Sequence, residues 1–234
     1  AIVGTGCYVL ENDKPDKGHS FDMNLNFESL GSFENSKMLQ EKILNGKEHV
    51  FNILSSKKHE NIIYKVLNQG DILGNYCSIH VGMMIKDKKL QFSKGKKSDS
   101  SRRIVTGRDL KEYFISNRER YFILEEAQIF GGTKNAIKHE SHPKLFIRKT
   151  GDRIIAAADF EGIYSEQSVY MVIPKIKTQV YNLLGQLQGR LCSYIYRNKL
   201  VSNPREYPYI QHYDALNLPI NTEMLKDKLF DDLV

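Results

Sequence analysis

Cationic, amide and hydroxyl side chains cluster in the stretch Lys144–Lys175, where they could bind the bases and phosphates of nucleic acid. The candidates for reading bases are Arg148, Lys149, Arg153, Gln167 and Ser168. Arg and Lys can donate hydrogen bonds to guanine, and Gln can form a bidentate pair with adenine. Structural roles are the alternative, since charged turns often only face solvent. Arg153 could pair with Asp152 or Asp159, and the side chain of Gln167 could satisfy the backbone of a turn.

A second group of cations precedes this stretch, between Lys86 and Lys111. Clustered Lys and Arg side chains bind DNA phosphates through charge. The candidates for such contacts are Lys96, Lys97, Arg102, Arg103, Arg108 and Lys111. Gly95 and the serines around it are typical of a loop over Ser93–Ser101. A solvated face is the alternative interpretation of such a charge run.

The sequence does not predict a metal site. His139 and His142 are three residues apart, but Pro143 follows at once and no third ligand is evident, so they are interpreted as loop histidines. Widely spaced cysteines without a C-x-x-C motif favour a reducing, cytoplasmic setting without disulfides. These cysteines are Cys7, Cys77 and Cys192.

Three short strands are expected to position the base-reading candidates. The apolar and β-branched content predicts strands over Lys144–Lys149, Arg153–Ala158 and Ser168–Ile173. Turns are predicted over Thr150–Asp152 and Asp159–Gly162, because Gly tolerates positive φ and Asp bonds its local backbone. All the base-reading candidates then lie at or near strand ends.

A long helix and further elements surround these strands. Apolar residues recur every three or four positions, which predicts one long helix with a buried face. They are Val180, Leu184, Leu187, Leu191 and Ile195. Phe21–Phe27 alternates as a strand does, and Ser32–Gly46 has a helical pattern. The predicted fold class is α/β, with a curved, mainly antiparallel sheet flanked by helices.

The composition is that of an ordinary globular protein. The chain has 234 residues, 41% of them hydrophobic and 26% charged, and its net charge is +6. This length suits one sizeable domain with an appendage. The mild basicity permits nucleic acid, an anionic surface or good solubility, and does not choose among them. No apolar run approaches the roughly 20 residues that span a bilayer, so no membrane partner is expected.

Several motifs together resemble the TaqI-like specificity domains of DNA-modifying enzymes. The strings LFIRKTGDRIIAAAD (Leu145–Asp159) and QSVYMVIPK (Gln167–Lys175) resemble the core of that family. Upstream, IVTGRDLKEYFI (Ile104–Ile115) resembles its G-x-D-I-x-x-Y segment. Downstream, Tyr181–Asn198 and Tyr207–Ile220 resemble its long helix and its closing segment. These segments occur in the family's order, which makes the combination more specific than any single motif.

The resemblance implies a DNA target-recognition domain that follows the catalytic domain of an adenine-specific methyltransferase. Double-stranded DNA and the catalytic domain of the same parent chain are then the partners. The parent would use S-adenosylmethionine and could be fused to an endonuclease, for restriction–modification or phage defence. No cofactor is expected in this fragment. Residues 1–55, whose strands and polar loop resemble the end of a methyltransferase sheet, are expected to be the tail of the catalytic domain or an N-terminal appendage, and residues 56–234 the recognition domain.

The motifs of methyl transfer are not found in this sequence. An adenine methyltransferase needs a glycine-rich turn and an Asn-Pro-Pro-aromatic loop, whereas Ser202–Arg205 offers only Asn-Pro. Asp16, Asp87 and Lys89 are too far apart to indicate a nuclease. The fragment is therefore expected to be non-catalytic. A protein-interaction or regulatory domain and a standalone nuclease remain the alternatives.

Overall fold

The computed structural model describes residues 16–25, 34–41, 57–202 and 207–226. The chain divides into two compact units, 1–54 and 55–234. In the first unit, β1 (Ser20–Leu25) pairs antiparallel with β2 (Glu34–Leu39). The strand predicted around β1 is confirmed, but the helix predicted over Ser32–Gly46 is wrong at β2. Pairing with β1 overrides the local helical pattern there.

The second unit is built from short strands and short helices. Its strands are β3 (Asp71–Ile72), β4 (Cys77–Val81), β5 (Met84–Ile85), β6 (Ser101–Val105), β7 (Tyr121–Ile123), β8 (Ile129–Gly131), β9 (Lys144–Arg148), β10 (Ala156–Asp159), β11 (Tyr164–Ser165), β12 (Val169–Pro174), β13 (Val201–Ser202), β14 (Tyr209–Ile210) and β15 (Pro219–Ile220). Its α-helices are α1 (Lys57–Gln69), α2 (Lys88–Gln91), α3 (Ala136–Glu140), α4 (Val180–Gln188), α5 (Arg190–Ile195) and α6 (His212–Leu216). Short 3-10 turns occur at Leu73–Asn75, Gly107–Asp109, Lys177–Gln179 and Met224–Lys226, and a π-helical turn at Tyr196–Leu200.

A four-stranded antiparallel sheet in the order β10-β9-β12-β4 forms the centre of this unit. Both faces of β9 are covered: Leu145 and Ile147 pack in one hydrophobic core, and Phe146 packs in another. A smaller sheet, β11-β6-β7, lies beside it. The predicted α/β class with a mainly antiparallel sheet and flanking helices is confirmed. The second predicted strand begins at Ala156 rather than Arg153.

The predicted long helix is divided at Gly189, whose backbone is extended (φ −62°, ψ 145°). Because the helix restarts after this break, its inward face changes. Leu187 is fully buried, as expected, but Leu191 is 52% exposed, so its predicted burial is wrong. In α5 the buried positions are Cys192 and Ile195 instead.

A buried ion pair closes one end of the central sheet. Lys144 begins β9 and Asp159 ends β10, and both side chains are completely inaccessible to solvent. The Lys144 ammonium also donates to the carbonyl oxygens of His139 and Ser141. Asp159 accepts from the backbone N–H of Ile163 at 2.8 Å. Each charge therefore has several partners, which offsets the cost of removing it from water.

His139 lies beside this ion pair and is also buried. Its Nε2 lies 2.9 Å from the Thr133 carbonyl oxygen, and its Nδ1 accepts from the backbone N–H of Ser165 at 3.3 Å. One ring nitrogen thus donates while the other accepts, which requires the neutral imidazole. Burial lowers the pKa of His139 to about 4, with the nearby Lys144 charge acting in the same direction.

We expect stability to fall as the pH drops from 7 to 5. The unfolded chain protonates this imidazole near pH 6.5 and the folded protein only near 4, so the unfolded state binds more protons between these values. The free energy of unfolding should decrease by about 2 kcal/mol over this range. Urea denaturation at both pH values measures it, and His139→Gln should abolish most of the difference. The exposed His142, replaced in the same way, is the control; an unchanged pH dependence in His139→Gln would contradict the assignment.

Candidate nucleic-acid interface

Antiparallel pairing brings several of the base-reading candidates together at the other end of the central sheet. Arg148 at the end of β9 is opposite Val169 at the start of β12. The Lys149 N–H donates to the Ser168 carbonyl oxygen at 3.0 Å. The Gln167 N–H donates to the carbonyl oxygen of Met83 at 2.9 Å, beyond the end of β4. The sheet register therefore places Arg148, Lys149, Gln167 and Ser168 on one edge.

The 3-10 turn at Gly107–Asp109 packs directly against this edge. The Gly107 N–H donates to Ser168 Oγ at 2.8 Å. A Cβ at Gly107 would lie 3.1 Å from the Ser168 carbonyl oxygen and 3.3 Å from Arg148 Cγ, so glycine permits the close approach. Asp109 fixes the turn, since its Oδ2 accepts from the Thr106 N–H at 2.7 Å. Consequently the exposed Arg108 lies next to the sheet edge.

We use the term sheet rim for this group of side chains on the edge and the adjoining loop. It comprises Arg108, Lys111, Arg148, Lys149, Gln167 and Ser168. Among the residues that the structure describes, no carboxylate forms an ion pair with any of its cations, and none of its side chains except that of Ser168 accepts or donates a protein hydrogen bond. Apart from Ser168, the side chains of the sheet rim therefore have hydrogen-bonding capacity to spare.

Arg148 is the member of the sheet rim with the largest unmet hydrogen-bonding requirement. Its Nε is buried and has no hydrogen-bond partner among the described residues. A buried donor without an acceptor costs free energy, so the protein leaves the hydrogen-bonding requirement of this side chain unmet. Neighbouring Lys149 lies with Nζ 5.0 Å from the centroid of the Tyr170 ring. Burial lowers the pKa of Lys149, and the nearby Glu166 carboxylate opposes this shift.

Glu166 holds this end of the sheet in place, and sequence reasoning missed it. Its side chain is 3% exposed and pairs with Lys88 of α2. Its other oxygen accepts from the Ser168 N–H at 3.0 Å and from the Ser168 hydroxyl at 2.6 Å. Since Ser168 Oγ also accepts from Gly107, both of these hydroxyl bonds are made within the protein. A buried glutamate between two short strands has no distinctive sequence pattern that would have indicated this.

Arg153 lies near the sheet rim but is neutralised. Its guanidinium pairs with Glu112 at 2.8 Å. The partners considered from the sequence are wrong, because Asp152 pairs with Arg197 at 2.7 Å and Asp159 pairs with Lys144.

The candidates for phosphate contact fall into two groups. Lys96 pairs with Asp99 at 3.1 Å, Arg102 lies 3.9 Å from Glu140, and Arg103 pairs with Glu161. These three cations line one open cavity of about 440 Å³. Within the described part of the chain, the side chains of the exposed Lys97, Arg108 and Lys111 form no ion pair. The second group is therefore the more available to phosphates.

The described residues offer neither a metal centre nor a membrane-spanning helix. No cluster of three or more His, Cys, Asp or Glu side chains in this part of the chain could hold a metal ion. No helix within it combines the length and apolar character required for crossing a membrane.

A family model provides independent evidence on this domain. The TaqI-like C-terminal specificity domain matches residues 102–220. The chain belongs to this family. The resemblance noted in the sequence is confirmed, and membership of a specificity-domain family supports a role as a DNA-recognition module. The matched residues include every member of the sheet rim, whereas Lys96 and Lys97 lie outside them.

Solved structures offer a further comparison for this TaqI-like domain. The chain is similar to the type IIG restriction endonuclease BpuSI, with 14% sequence identity and a TM-score of 0.48. The similarity covers 86% of this chain but only 30% of BpuSI. No curated protein matches the sequence.

Proposed function

We propose that this chain selects the DNA site modified by an adenine-specific methyltransferase, with the sheet rim as its base-reading surface. The observation that carries the proposal is Arg148, a guanidinium with a buried, unpartnered Nε at a rigid strand end. It lies among further cations that have no acid partner in the described part of the chain. Family membership supports a role in DNA recognition, and the preference for adenine comes from the resemblance of its motifs.

Arg148 is suited to reading a base because its position is fixed by its neighbours. The end of β9 is held on one side by β12 and on the other by the backbone N–H of Arg148, which donates to the Ile155 carbonyl oxygen at 2.9 Å. The turn at Gly107 packs close to the stem of the Arg148 side chain, since a Cβ at Gly107 would lie 3.3 Å from Arg148 Cγ. A guanidinium on a stem placed in this way can bond the O6 and N7 atoms of guanine.

The other members of the sheet rim have complementary roles. Arg108 and Lys111, together with Lys97 earlier in the chain and outside the sheet rim, supply phosphate contacts that fix the register of the domain on DNA. Gln167 is available to pair with adenine, since no side-chain partner occupies it within the described residues. Lys149, which burial makes easier to deprotonate, can donate to a base edge beside Arg148.

The remaining partners follow from this role. Methyl transfer belongs to a catalytic domain of the same parent chain, which would bind S-adenosylmethionine and hold the target adenine. In this arrangement, the present domain supplies sequence selection and DNA affinity. A parent that also carries a nuclease would act in restriction–modification or phage defence.

Replacing Arg148 by Ala is the direct test of this function. In the intact protein, the variant should lose about 1–3 kcal/mol of binding free energy at one base pair and tolerate other bases there. The measurement is a specificity profile, obtained by binding or methylation of a library in which every position of the site is varied.

Arg153→Ala is the matched control, because Arg153 is an arginine near the same sheet end that already pairs with Glu112. Its profile should equal that of the wild type. If Arg148→Ala weakened all sequences equally, Arg148 would be a phosphate contact. An unchanged profile would remove the sheet rim as the base-reading surface.

A further inference from the structure

A small hairpin over Asp109–Ser116 lies next to the sheet rim and is anchored firmly in the protein. The Ser116 N–H donates to the Asp109 carbonyl oxygen at 2.8 Å, and the Lys111 N–H donates to that of Phe114 at 2.9 Å. Between these bonds, Leu110 and Ile115 form a β-bridge and are 0% and 5% exposed. They pack in the same core as Phe146 of β9. The hairpin therefore has a rigid base.

The tip of this hairpin displays two adjacent aromatic rings to solvent. Tyr113 and Phe114 are each 55% exposed. The backbone of Tyr113 has φ +73°, in the left-handed region that a bulky residue rarely adopts. The strain is maintained by the sheet, because the Tyr113 N–H donates to the Ala156 carbonyl oxygen at 2.9 Å. Strain of this kind tends to persist where it serves binding.

The surroundings of the rings are cationic. Lys111 belongs to the same hairpin and Arg108 immediately precedes it, and both are exposed without an ion-pair partner in the described part of the chain. Arg153 pairs with Glu112 at the tip, so the tip's own acid is neutralised. Aromatic rings among cations suit nucleic acid, since the bases stack on the rings and the phosphates meet the charges.

We propose that Tyr113 and Phe114 stack on nucleobases that have left the helical stack of bound DNA. The inference rests on the proposed function and adds a ligand to it: an unstacked base, recognised by its aromatic face. An enzyme that takes one base out of a duplex leaves its neighbours partly unstacked, and the tip provides a surface for such a base. The contact would be tolerant of sequence, because every base has an aromatic face.

The test compares two DNA probes in binding assays with the intact protein. One is a random-sequence duplex, and the other is the same duplex with a single bulged adenine. The wild type should bind the bulged duplex more tightly. The double variant Tyr113→Gly/Phe114→Ala should lose about 5- to 100-fold in affinity for the bulged duplex, as expected for the loss of base stacking. Its affinity for the perfect duplex should change less than about twofold.

Control variants separate stacking from a structural role. Tyr113→Phe retains the ring and should bind as the wild type does, and Tyr64→Ala removes an aromatic side chain that is 72% exposed on α1 and should have no effect. Tyr113→Gly relieves the unfavourable φ, so its melting temperature should stay the same or rise. A lower melting temperature would indicate that the ring is structural.

Four results would overturn the inference. Equal affinity of the wild type for both duplexes would show that no unstacked base is held at the tip. An equal loss of affinity for both duplexes in the double variant would show the same. In a third outcome, the double variant binds DNA normally while limited proteolysis separates its domains more readily than those of the wild type. That result would show that the rings dock another domain. If the wild type bound neither duplex, the proposed function itself would fail as well.

Discussion

Replacing Asp159 by Asn is expected to lower the free energy of unfolding by about 3–5 kcal/mol, because the change leaves the Lys144 charge buried without its counter-ion. Both side chains are completely inaccessible to solvent, so water cannot replace the missing carboxylate. The asparagine keeps the size of the side chain, so the effect comes from the lost charge and from one oxygen that no longer accepts a hydrogen bond. Urea denaturation at pH 7 measures the loss.

The pH dependence of this variant identifies the cause. Burial already lowers the pKa of Lys144, and Asp159 opposes that shift in the wild type. Without Asp159 the pKa of Lys144 falls further in the folded protein, whereas the unfolded chain remains protonated. The unfolded state then binds more protons, so the stability of the variant should rise as the pH increases from about 7 to 10.

Asp152→Asn is the control, because it breaks the exposed pair between Asp152 and Arg197. Such surface pairs contribute about 0–1 kcal/mol. The double variant Lys144→Met/Asp159→Asn should recover part of the loss, since it removes both buried charges. A loss below about 1 kcal/mol in Asp159→Asn would mean that water reaches the pair in solution.

The location of this pair separates stability from the proposed base recognition. Lys144 begins β9 and Arg148 ends it, so the ion pair and the sheet rim lie at opposite ends of one strand. Asp159→Asn should therefore destabilise the domain without changing base preference in the molecules that remain folded. Arg148→Ala should do the reverse, because its side chain is at the edge of the sheet and its Nε forms no bond that would be lost.

The sequence predicted the centre of the fold because local patterns determine it. The apolar run Leu145–Ile147 can only be buried, and the turn at Gly151 requires a residue that tolerates its φ of +144°. Antiparallel strands of this kind then bring their ends together. The grouping of Arg148 with Ser168 follows from that pairing, and for this reason much of the candidate site could be anticipated.

Features that depend on distant partners could not be anticipated. Glu166 pairs with Lys88, 78 residues earlier in the chain, and Arg153 pairs with Glu112 across a loop. Sequence spacing contains no information on either contact. The left-handed backbone of Tyr113 was equally hidden, because a tyrosine does not indicate that conformation as a glycine would.

The strand at Glu34–Leu39 shows a second limit of sequence reasoning. Its apolar residues, Met38 and Leu39, also fit one face of a helix, and a short segment supports both patterns. Pairing with β1 decides the outcome, and that pairing is a tertiary effect. Gly189 shows the same limit within a helix. The apolar stripe in the sequence continues past Gly189, whereas the helical backbone conformation is interrupted there.

Leu187→Ala is expected to cost about 2–5 kcal/mol of unfolding free energy, through lost burial and the cavity left behind. Leu187 is completely buried on α4, in the core that contains Leu145 and Ile147 of β9. Leu191→Ala is the matched control, because the same substitution is made on the same apolar stripe. Leu191 is 52% exposed beyond the break at Gly189, so its loss should stay within about 0.5 kcal/mol.

The comparison of these two variants tests the helix break directly. A continuous helix would bury both leucines, and both substitutions would then be strongly destabilising. With the division at Gly189, only Leu187→Ala is strongly destabilising. Equal losses in urea denaturation would therefore contradict the break. Leu187 supports the sheet from the face of β9 that carries Ile147, next to Arg148. Leu187→Ala should therefore also loosen the sheet rim and accelerate hydrogen exchange at the Arg148 and Lys149 amides. Exchange at these amides should stay unchanged in Leu191→Ala.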